Sequence, residues 1–216
     1  MTPLAQHIEN WKDCQQCPLA QQRFRICLGR GTIPCDVLFC GEAPGAVEDV
    51  TGQVFTGPAG YLLDQIIERV IPATVTHALT NLVACFPREA KSKGENEPEY
   101  SEIMACRSRL IEFINVCQPR LIVCVGALAE EYVPHRMSMR YHRITHPAAI
   151  LRMPLAKKQM ETQRSIVTLR SAVEEMLAQP RQAFTPWESE HAGSTERQQF
   201  QQQFRKAVRD QEELPF

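Results

Sequence analysis

The sequence predicts an α/β fold, a three-layer α/β/α sandwich with a central four-stranded parallel sheet. Two observations support this prediction. Short apolar runs at residues 36–40 and 121–125 each end at a glycine, which is typical of buried parallel strands. Segments with the 3.6-residue apolar period of helices separate these runs. Strands that alternate with helices form a parallel sheet that is covered on both faces.

In the first half of the chain, two helices alternate with two strands. A short helix leads into the first cysteines, and an apolar run that ends at Gly41 forms the first strand. A segment with apolar residues every three or four positions then predicts a helix, and a second strand follows it. The predicted bounds are 4–12 and 58–70 for the helices, and 36–40 and 78–83 for the strands.

The second half of the chain repeats this alternation. The run Leu-Ile-Val-Cys-Val at 121–125 is the clearest buried strand, and it ends at Gly126. The other predicted elements are a helix at 98–116, a strand at 140–145 and a final helix at 155–178. Because the carboxyl ends of parallel strands meet at one edge of a sheet, we expect functional residues near Gly41, Asn81, Gly126 and His146.

The composition changes at Gln179 and indicates where the domain ends. Residues 1–179 have enough apolar side chains for one domain. Residues 180–216 are rich in Gln, Glu and Arg and contain few large apolar residues. This segment predicts a polar, flexible C-terminal tail with one helix near 195–210.

The bulk composition excludes several classes of protein. The chain has 216 residues, of which 44% are apolar, and its formal charge is −1. No apolar run approaches the length of a membrane span, and the first residues lack the basic and apolar regions of a secretory signal. Nine cysteines, an odd number, indicate a reducing compartment. We expect a cytoplasmic monomer without a membrane partner.

Four cysteines form two separated pairs, Cys14 with Cys17 and Cys85 with Cys106. A C-x2-C places two thiolates on one tight turn, which suits a metal or a cluster that needs four soft ligands. Free cysteines are also common in protein cores, but a C-x2-C followed by proline argues against that role here. Thiolate chemistry alone leaves zinc and an iron–sulfur cluster open. The remaining cysteines are expected to pack in the core: Cys27, Cys35, Cys40, Cys117 and Cys124.

Basic residues concentrate in one stretch of the chain. From Arg136 to Lys158 there are six Lys and Arg residues and no Asp or Glu. A charge run is ordinarily a solvated face. A run without a single acid, around the Thr-His-Pro turn at 145–147, instead indicates a surface that faces phosphate.

Several motifs in a fixed order resemble the iron–sulfur, family 4 uracil-DNA glycosylases of the uracil-DNA glycosylase superfamily. The resemblance covers about residues 10–155. The matching motifs are Gly41-Glu42-Ala43-Pro44-Gly45 with Glu48-Asp49, the segment 52–60, Thr80 to Cys85, the helix of Cys106, Val125-Gly126-Ala127, and His146-Pro147-Ala148-Ala149.

The resemblance implies a monofunctional glycosylase of DNA repair. Such an enzyme flips deoxyuridine out of single- or double-stranded DNA and hydrolyses its N-glycosidic bond, which leaves an abasic site. It also implies a 4Fe–4S cluster as cofactor, with zinc as the alternative. The implied ligands are Cys14, Cys17, Cys85 and Cys106, although the gap between the last two is longer than the family's pattern.

The resemblance also implies catalytic roles at two strand ends. Glu42 is expected to order the attacking water, and Ala43 to offer its backbone N–H to the base. Alanine at this position replaces the catalytic aspartate of related glycosylase families. His146 is expected to contact the leaving base or a neighbouring phosphate. Glu48 and Asp49 are interpreted as helix-start or surface acids.

Substrate recognition is expected to depend on an aromatic ring and an amide. Phe55 has small and polar neighbours and would stack on the flipped base, the alternative being core packing. The Asn81 amide would donate to O4 and accept from N3–H of uracil, whereas cytosine presents the opposite pattern. A turn residue is the alternative reading of Asn81. Arg143 and Arg152 are expected to bind DNA phosphates.

Two other functions remain open at this point. The chain is alternatively a non-catalytic DNA-binding protein of replication, or a glycosylase for another modified pyrimidine, since its loop at 88–97 is changed. Covalent capture of the abasic sugar is disfavoured, because this loop contains no histidine. The last six residues, Gln211 to Phe216, resemble short peptides that bind the bacterial sliding clamp, so the clamp is a predicted partner.

Overall fold

A computed structural model describes residues 2–88 and 96–187 of the chain. Within these residues a mostly parallel sheet carries helices on both faces, so the predicted three-layer α/β/α sandwich is confirmed. The predicted helix near 195–210 and the terminal segment 211–216 lie outside the described residues.

The sheet has five strands in the order β1-β3-β2-β4-β5. Their bounds are Arg30–Gly31 for β1, Val37–Gly41 for β2, His77–Asn81 for β3, Leu121–Val125 for β4 and Arg140–Ile144 for β5. Strands β2 to β5 pair with one another in parallel, which confirms the four predicted strands. The additional strand β1 pairs antiparallel with β3, and its two residues are too few to show an apolar period.

Eight helices surround the sheet in the described part of the chain. The long ones are α1 (Pro3–Trp11), α4 (Pro58–Val70), α5 (Tyr100–Cys117) and α8 (Leu155–Leu177), close to the predicted bounds. The short ones are α2 (Leu19–Gln22), α3 (Ala46–Thr51), α6 (Ala127–Tyr132) and α7 (Pro147–Arg152). Helices of four to six residues complete fewer than two turns, so the sequence shows no period for them. No helix among the described residues is long and apolar enough to cross a membrane.

Alternate residues of the strands build a separate core on each face of the sheet. On one face, Phe39 and Val123 pack with α4 and α8. On the other face, Leu38 and Ile122 pack with α5. Every residue of β2 and β4 is buried, which explains why these strands appear in the sequence as unbroken apolar runs.

The carboxylate of Glu112 on α5 binds three side chains of the first helix, α1. His7 Nδ1 and Asn10 Nδ2 lie 3.0 Å from Glu112 Oε1, and Trp11 Nε1 donates to Oε2 at 2.9 Å. The His7 ring is fully buried against Phe113. These contacts hold the segment that follows α1, which carries the first cysteine pair, beside α5.

The first residues of the predicted tail, up to residue 187, pack across the amino-terminal edge of the sheet. Arg181 pairs with Asp36 at 2.8 Å. Asn115 binds both the backbone N–H and the carbonyl of Trp187, at 2.7 Å and 2.9 Å, and the indole ring is buried. The division between domain and tail at Gln179 stays a prediction.

Candidate functional site

The carboxyl ends of the parallel strands bring most of the predicted site residues to one edge of the sheet. The strand register pairs Gly41 with Asn81 and Val125 with Ile144. Glu42 and Ala43 follow β2 directly, and His146 lies two residues beyond β5. Since adjacent strands are only about 5 Å apart, these groups surround one position at the edge.

Gly41 is the point where two of the predicted binding residues meet. A Cβ at this position would lie 2.4 Å from Phe55 Cζ and 2.5 Å from Asn81 Oδ1. Both distances are well below van der Waals contact, so only glycine leaves room for the ring and the amide. The phenyl edge and the amide oxygen therefore lie side by side over the end of β2.

The Asn81 amide is buried and its oxygen has no partner. Asn81 is 2% exposed, and Oδ1 accepts no hydrogen bond from any residue that the structure describes. A buried acceptor without a donor is costly, so such groups in native proteins usually have a functional reason. An incoming ligand that carries an N–H donor would satisfy this oxygen.

Phe55 contributes to the core as well as to the site. The residue is 6% exposed and packs with the core on the α4 side of the sheet. Its backbone has a positive φ of 55°, and Arg30 donates to its carbonyl at 3.2 Å. A Cβ on Gly60 would lie 2.0 Å from that carbonyl oxygen, so glycine is required there. The polar sequence around Phe55 did not indicate this burial.

The interpretation of Glu48 as a surface acid is wrong, although it does lie at a helix start. Glu48 is buried and its carboxylate accepts three backbone N–H groups, from Gly45 at 3.1 Å, Thr56 at 2.9 Å and Gly57 at 2.7 Å. The side chain thus ties the loop after β2 to the loop that carries Phe55. Its position three residues after Gly45 is a capping-box signal that could have revealed this role.

Asp49 is buried as well, so the surface interpretation is also wrong for this residue. Its Oδ1 accepts the backbone N–H groups of Phe24 at 2.8 Å and Arg25 at 3.3 Å, and Oδ2 accepts from the Arg88 guanidinium. The carboxylate connects α3 to the segment between the cysteine pairs. No local sequence pattern predicts these contacts, because the residues that bind Asp49 are distant from it in the chain.

His146 lies at the N-terminus of α7 with a defined ring tautomer. Its Nδ1 accepts the backbone N–H of Ala148 at 3.2 Å, so the ring proton of the neutral imidazole is on Nε2. Burial, with a smaller contribution from the nearby Arg152 cation, lowers the pKa of His146 to about 4. The ring packs against the end of β4, since a Cβ on Gly126 would lie 3.1 Å from His146 Cβ. His146 is therefore a neutral hydrogen-bond donor at the strand edge.

The loop after β2 holds the other two predicted residues. The side chains of Glu42 and Ala43 are half-buried. The Glu42 carbonyl accepts the backbone N–H of Val83 at 3.2 Å, which joins this loop to the segment after Asn81. The loop conformation is thus fixed from two sides, by this bond and by Glu48.

The basic run at 136–158 does not form one continuous surface. Arg136 lies at the opposite edge of the sheet, where it donates to the carbonyls of Thr185 and Pro186. Arg143 is half exposed and pairs with Glu130 at 2.9 Å. Arg152 is exposed and acts on the pKa of His146 through its charge. Of the two predicted phosphate contacts, Arg152 is the one that the structure brings beside the site.

The four cysteines predicted as ligands line one cavity. They come from the segment after α1, from the segment after β3 and from α5, and the members of this set are Cys14, Cys17, Cys85 and Cys106. Arg23 donates to Cys85 Sγ at 3.3 Å and to the Cys14 carbonyl at 2.8 Å. The other cysteines are buried in the core or at the strands, as predicted.

The donor set consists of four thiols around one cavity, which suits zinc or an iron–sulfur cluster. Among the described residues, no three His, Cys, Asp or Glu side chains lie close enough together to hold one metal ion. Burial raises the pKa of the Cys85 thiol to about 11, although Arg23 opposes this effect. Ligation would therefore have to displace thiol protons.

The lowered pKa values of the described histidines predict that the folded state is less stable in mild acid. Burial is the main cause that lowers the pKa of each of them, and the residues are His7, His77, His135, His142 and His146. The histidines of the unfolded chain bind protons near pH 6.5, whereas those of the folded chain bind protons only at lower pH. The stability that the neutral rings contribute is therefore fully present above pH 6.5, and it is lost as the pH falls toward about 4.

We therefore expect Tm to fall by on the order of 10 °C between pH 7 and pH 5, measured by circular dichroism. The variant His135→Gln removes one of the strongly shifted groups and should show a smaller decrease. A Tm that is constant across this range would contradict the buried, neutral state of these rings.

Comparisons with known proteins agree with this geometry. The model of the Uracil DNA glycosylase superfamily matches residues 28–170. The type-4 uracil-DNA glycosylase of Sulfurisphaera tokodaii is 31% identical over 171 residues, which cover 68% of this chain and 76% of that protein. The type-4 enzyme of Pyrobaculum aerophilum is 29% identical over 172 residues, or 69% of this chain and 85% of that protein. For the type-4 enzyme of Saccharolobus solfataricus, identity is 33% over 134 residues, or 62% and 60%.

Proposed function

The chain belongs to the uracil DNA glycosylase superfamily, and we propose that it excises uracil from DNA and leaves an abasic site. The observation that supports this proposal best is the buried, unpartnered Asn81 oxygen beside the Phe55 ring. It is an acceptor in a position where a flat base with an N–H donor would fit. The type-4 relatives are named as uracil-DNA glycosylases, which is the same substrate class.

The Asn81 amide supports discrimination between uracil and cytosine. Uracil carries an N3–H donor and an O4 acceptor, which match the oxygen and the nitrogen of an amide. Cytosine has an acceptor at N3 and a donor at N4, so it would face like groups at both positions. A site built around a buried hydrogen bond rejects a base that cannot form it.

The Phe55 ring supports binding of an extruded base. Flipping a nucleotide out of the stack costs a few kcal/mol, and an aromatic surface offsets part of that cost by stacking. The ring edge is held over Gly41 by the core and by the close approach of Gly60. A preorganised platform of this kind does not have to reorder when the base enters.

His146 supports departure of the base. When the bond between C1′ and N1 breaks, its electron pair leaves with the base, and negative charge develops on O2 and O4. A neutral imidazole that carries its proton on Nε2 can donate a hydrogen bond to O2 without first gaining a second proton. The low pKa of His146 keeps the ring in this form at neutral pH.

Glu42 and Ala43 complete the proposed reaction. The sugar becomes oxocarbenium-like, and a water molecule adds to C1′ and loses a proton, which the departing uracil anion takes up to become neutral uracil. Glu42, at the end of β2, is the carboxylate that would order this water. Ala43 carries no side chain that reacts, so only its backbone N–H would contact the base.

Arg152 and Arg143 are proposed to hold phosphates on either side of the flipped nucleotide. Because Arg143 pairs with Glu130, it would have to exchange that carboxylate for a phosphate. Arg143→Ala should weaken DNA binding about threefold to tenfold, and the slope of log Kd against log salt should decrease by about one.

The matched control is Arg140→Ala, at the other end of the same strand. Affinity and salt slope are measured by fluorescence anisotropy at several salt concentrations. Equal effects of the two variants would show that Arg143 has no specific phosphate contact.

We propose that Cys14, Cys17, Cys85 and Cys106 hold a 4Fe–4S cluster. The four thiols that line one cavity, together with the resemblance to the iron–sulfur family, support this assignment over zinc. The bound group would supply covalent connections between the N-terminal segment, the segment after β3 and α5. The residues themselves then keep α1 and β3 in fixed positions relative to each other.

Base release is the direct test of the proposed function. Purified protein is incubated with oligonucleotides that carry one deoxyuridine, either single-stranded or opposite guanine, and free uracil is measured by mass spectrometry. We expect uracil and an abasic strand as the products. No release, when a reference glycosylase acts on the same DNA, would overturn the proposal. Release of a different modified base from a panel of oligonucleotides would instead redefine the substrate.

Three further predictions are unchanged by the structure. The sliding clamp stays a predicted partner, because the segment from Gln211 to Phe216 lies outside the described residues. The cytoplasmic location and the monomeric state also stay predictions from the sequence.

A further inference from the structure

Arg109 lies inside the protein between the cysteine cavity and the end of β3. It is 1% exposed and belongs to α5. One guanidinium nitrogen donates to the Asn81 carbonyl and, at 2.9 Å, to the Leu82 carbonyl. The other donates to Thr80 Oγ1 at 2.8 Å and, at the limit of hydrogen bonding, to the Leu28 carbonyl at 3.5 Å. The Arg109 side chain thus fixes the backbone of Asn81, from which the amide side chain extends.

All of these acceptors are neutral, so none of them balances the guanidinium charge. Arg109 forms no ion pair with any residue in the described part of the chain. The acid one turn along α5, Glu112, is engaged by His7, Asn10 and Trp11. Arginine does not lose its proton in proteins, and a buried charge is costly unless an opposite charge is near.

The cysteine cavity is where an opposite charge would arise. Arg109 lines this cavity together with the four cysteines, and it follows Cys106 by one turn of α5. Cysteines bind a metal group as thiolates, so a ligated site would place negative charge in the cavity that Arg109 lines. Arg109 thus lies between the neutral acceptors at the end of β3 and this cavity.

We propose that Arg109 is a positioning residue that couples the four-cysteine site to the base-recognising amide. The ligated thiolates neutralise the guanidinium, and the guanidinium fixes the carbonyls of Asn81 and Leu82, which orients the Asn81 side chain. This inference rests on the proposed function and on the proposed cluster. It assigns the cysteine site a role in substrate selection in addition to its role in joining chain segments.

The coupling predicts that charge and geometry at position 109 have separable effects. Arg109→Lys keeps the positive charge, but an ammonium group lacks the planar fork that reaches several acceptors at once. Iron content should therefore stay close to that of the unmodified protein, while base selection decreases. Arg109→Gln removes the charge, so iron content should fall by at least half as well.

The test compares binding, not catalysis, in protein purified with its cofactor. The probes are two matched oligonucleotides, one with 2′-fluoro-2′-deoxyuridine, which resists hydrolysis, and one with deoxycytidine at that position. The ratio of the two Kd values measures base selection, and iron per chain measures loading. In Arg109→Lys this ratio should fall about tenfold, the effect of leaving a buried carbonyl without its partner.

Two arginine variants provide matched controls. Arg23→Lys alters the contact with Cys85 but not the bonds from Arg109 to the end of β3, so it is expected to lower iron retention while the iron-loaded fraction keeps the Kd ratio of the unmodified protein. Arg120→Lys alters an arginine that also holds backbone carbonyls, those of Met176 and Gln179, at the opposite edge of the sheet. It should change neither quantity.

Thr80→Val tests the same coupling if Arg109→Lys does not fold. The two side chains have similar shapes, and the variant removes the hydroxyl that accepts from Arg109 and donates to the Leu28 carbonyl. A decrease of the Kd ratio by about threefold, with iron unchanged, supports the coupling. An unchanged ratio in folded Arg109→Lys or in Thr80→Val would overturn it, and so would full iron content in Arg109→Gln.

The proposed function fails in a different way. If the unmodified protein shows no preference for the uracil analogue over cytosine, the function is wrong, whatever the variants show. If the unmodified protein prefers uracil but contains no iron, the cofactor is wrong, and the charge argument for Arg109 fails with it.

Discussion

Asn81→Ala is expected to lower the rate of uracil excision by about 10²–10³-fold, the typical effect of removing one preorganised hydrogen-bonding group from an active site. The variant should also lose discrimination against cytosine, because no other predicted site residue presents both a donor and an acceptor to the base edge. Single-turnover rates on deoxyuridine DNA, with deoxycytidine DNA as the competitor, measure both effects.

The same substitution should leave the fold intact or make it more stable. The Asn81 oxygen is a buried acceptor without a donor, and such a group costs about 1–3 kcal/mol. Removing it should therefore hold or raise Tm, in contrast to most substitutions in a core. A gain in stability together with a loss of activity is typical of a residue that is kept for its ligand.

Asn115→Ala is the matched control for this experiment. Asn115 also uses its amide in the interior, where it binds the backbone of Trp187 at the far edge of the sheet. Its loss should lower Tm and leave the excision rate per folded molecule unchanged. If Asn81→Ala keeps full rate and selectivity, the base does not bind where we place it.

Cys85→Ala is expected to have the largest effect on stability. The substitution removes one of four ligands from a site that joins α1, β3 and α5 through the chain segments around it. We expect loss of the visible absorbance of an iron–sulfur cluster and a decrease of Tm on the order of 10 °C or more, since metal binding is coupled to folding. Iron per chain, the absorption spectrum and thermal melting are the measurements.

Cys124→Ala provides the matched control for the loss of a buried thiol. Cys124 lies in β4 and is buried in the core on the α5 side of the sheet. Its substitution should lower Tm by only a few degrees, and the absorbance should remain. Equal loss of colour in the two variants, or zinc in place of iron in the unmodified protein, would contradict the assignment of the cluster.

The strands and long helices could be predicted because their signal is local. β2 and β4 are buried on both faces, so every position is apolar and the runs stand out. In α4 and α8 one face is buried, which produces a period that can be read residue by residue. β1 and the short helices offer too few residues for either signal, and they form because neighbouring elements hold them.

The predicted strand ends explain where the structure places several of the predicted site residues. Asn81 and His146 lie at or beyond the ends of strands whose order puts them at the same edge, and the glycines at Gly41 and Gly126 mark close approaches. Burial of two acids was not predicted. Glu48 and Asp49 were interpreted as helix-start or surface acids, and both do lie in the first turn of α3, but they are buried and bind backbone N–H groups of segments that are adjacent only after folding.

Arg109 is the clearest residue that the sequence did not reveal. It lies on the same face of α5 as Cys106 and Phe113, and a charged residue on a buried helix face indicates a specific polar partner. Even with that signal, its partners at the end of β3 would have stayed unknown. They belong to an element about thirty residues away, and only the packing of α5 on the sheet brings them together.

The sequence alone determined the α/β class, the strands, the long helices and the identity of the cysteine pairs, since each depends on residue type and spacing along the chain. The tertiary structure decided which polar groups are buried and what they bind. It left the Asn81 oxygen without a donor among the described residues, fixed the proton of His146 on Nε2 and placed Arg109 between backbone carbonyls and the cavity that the cysteines line. Burial and hydrogen bonding arise between segments that are distant in sequence, so no local pattern records them.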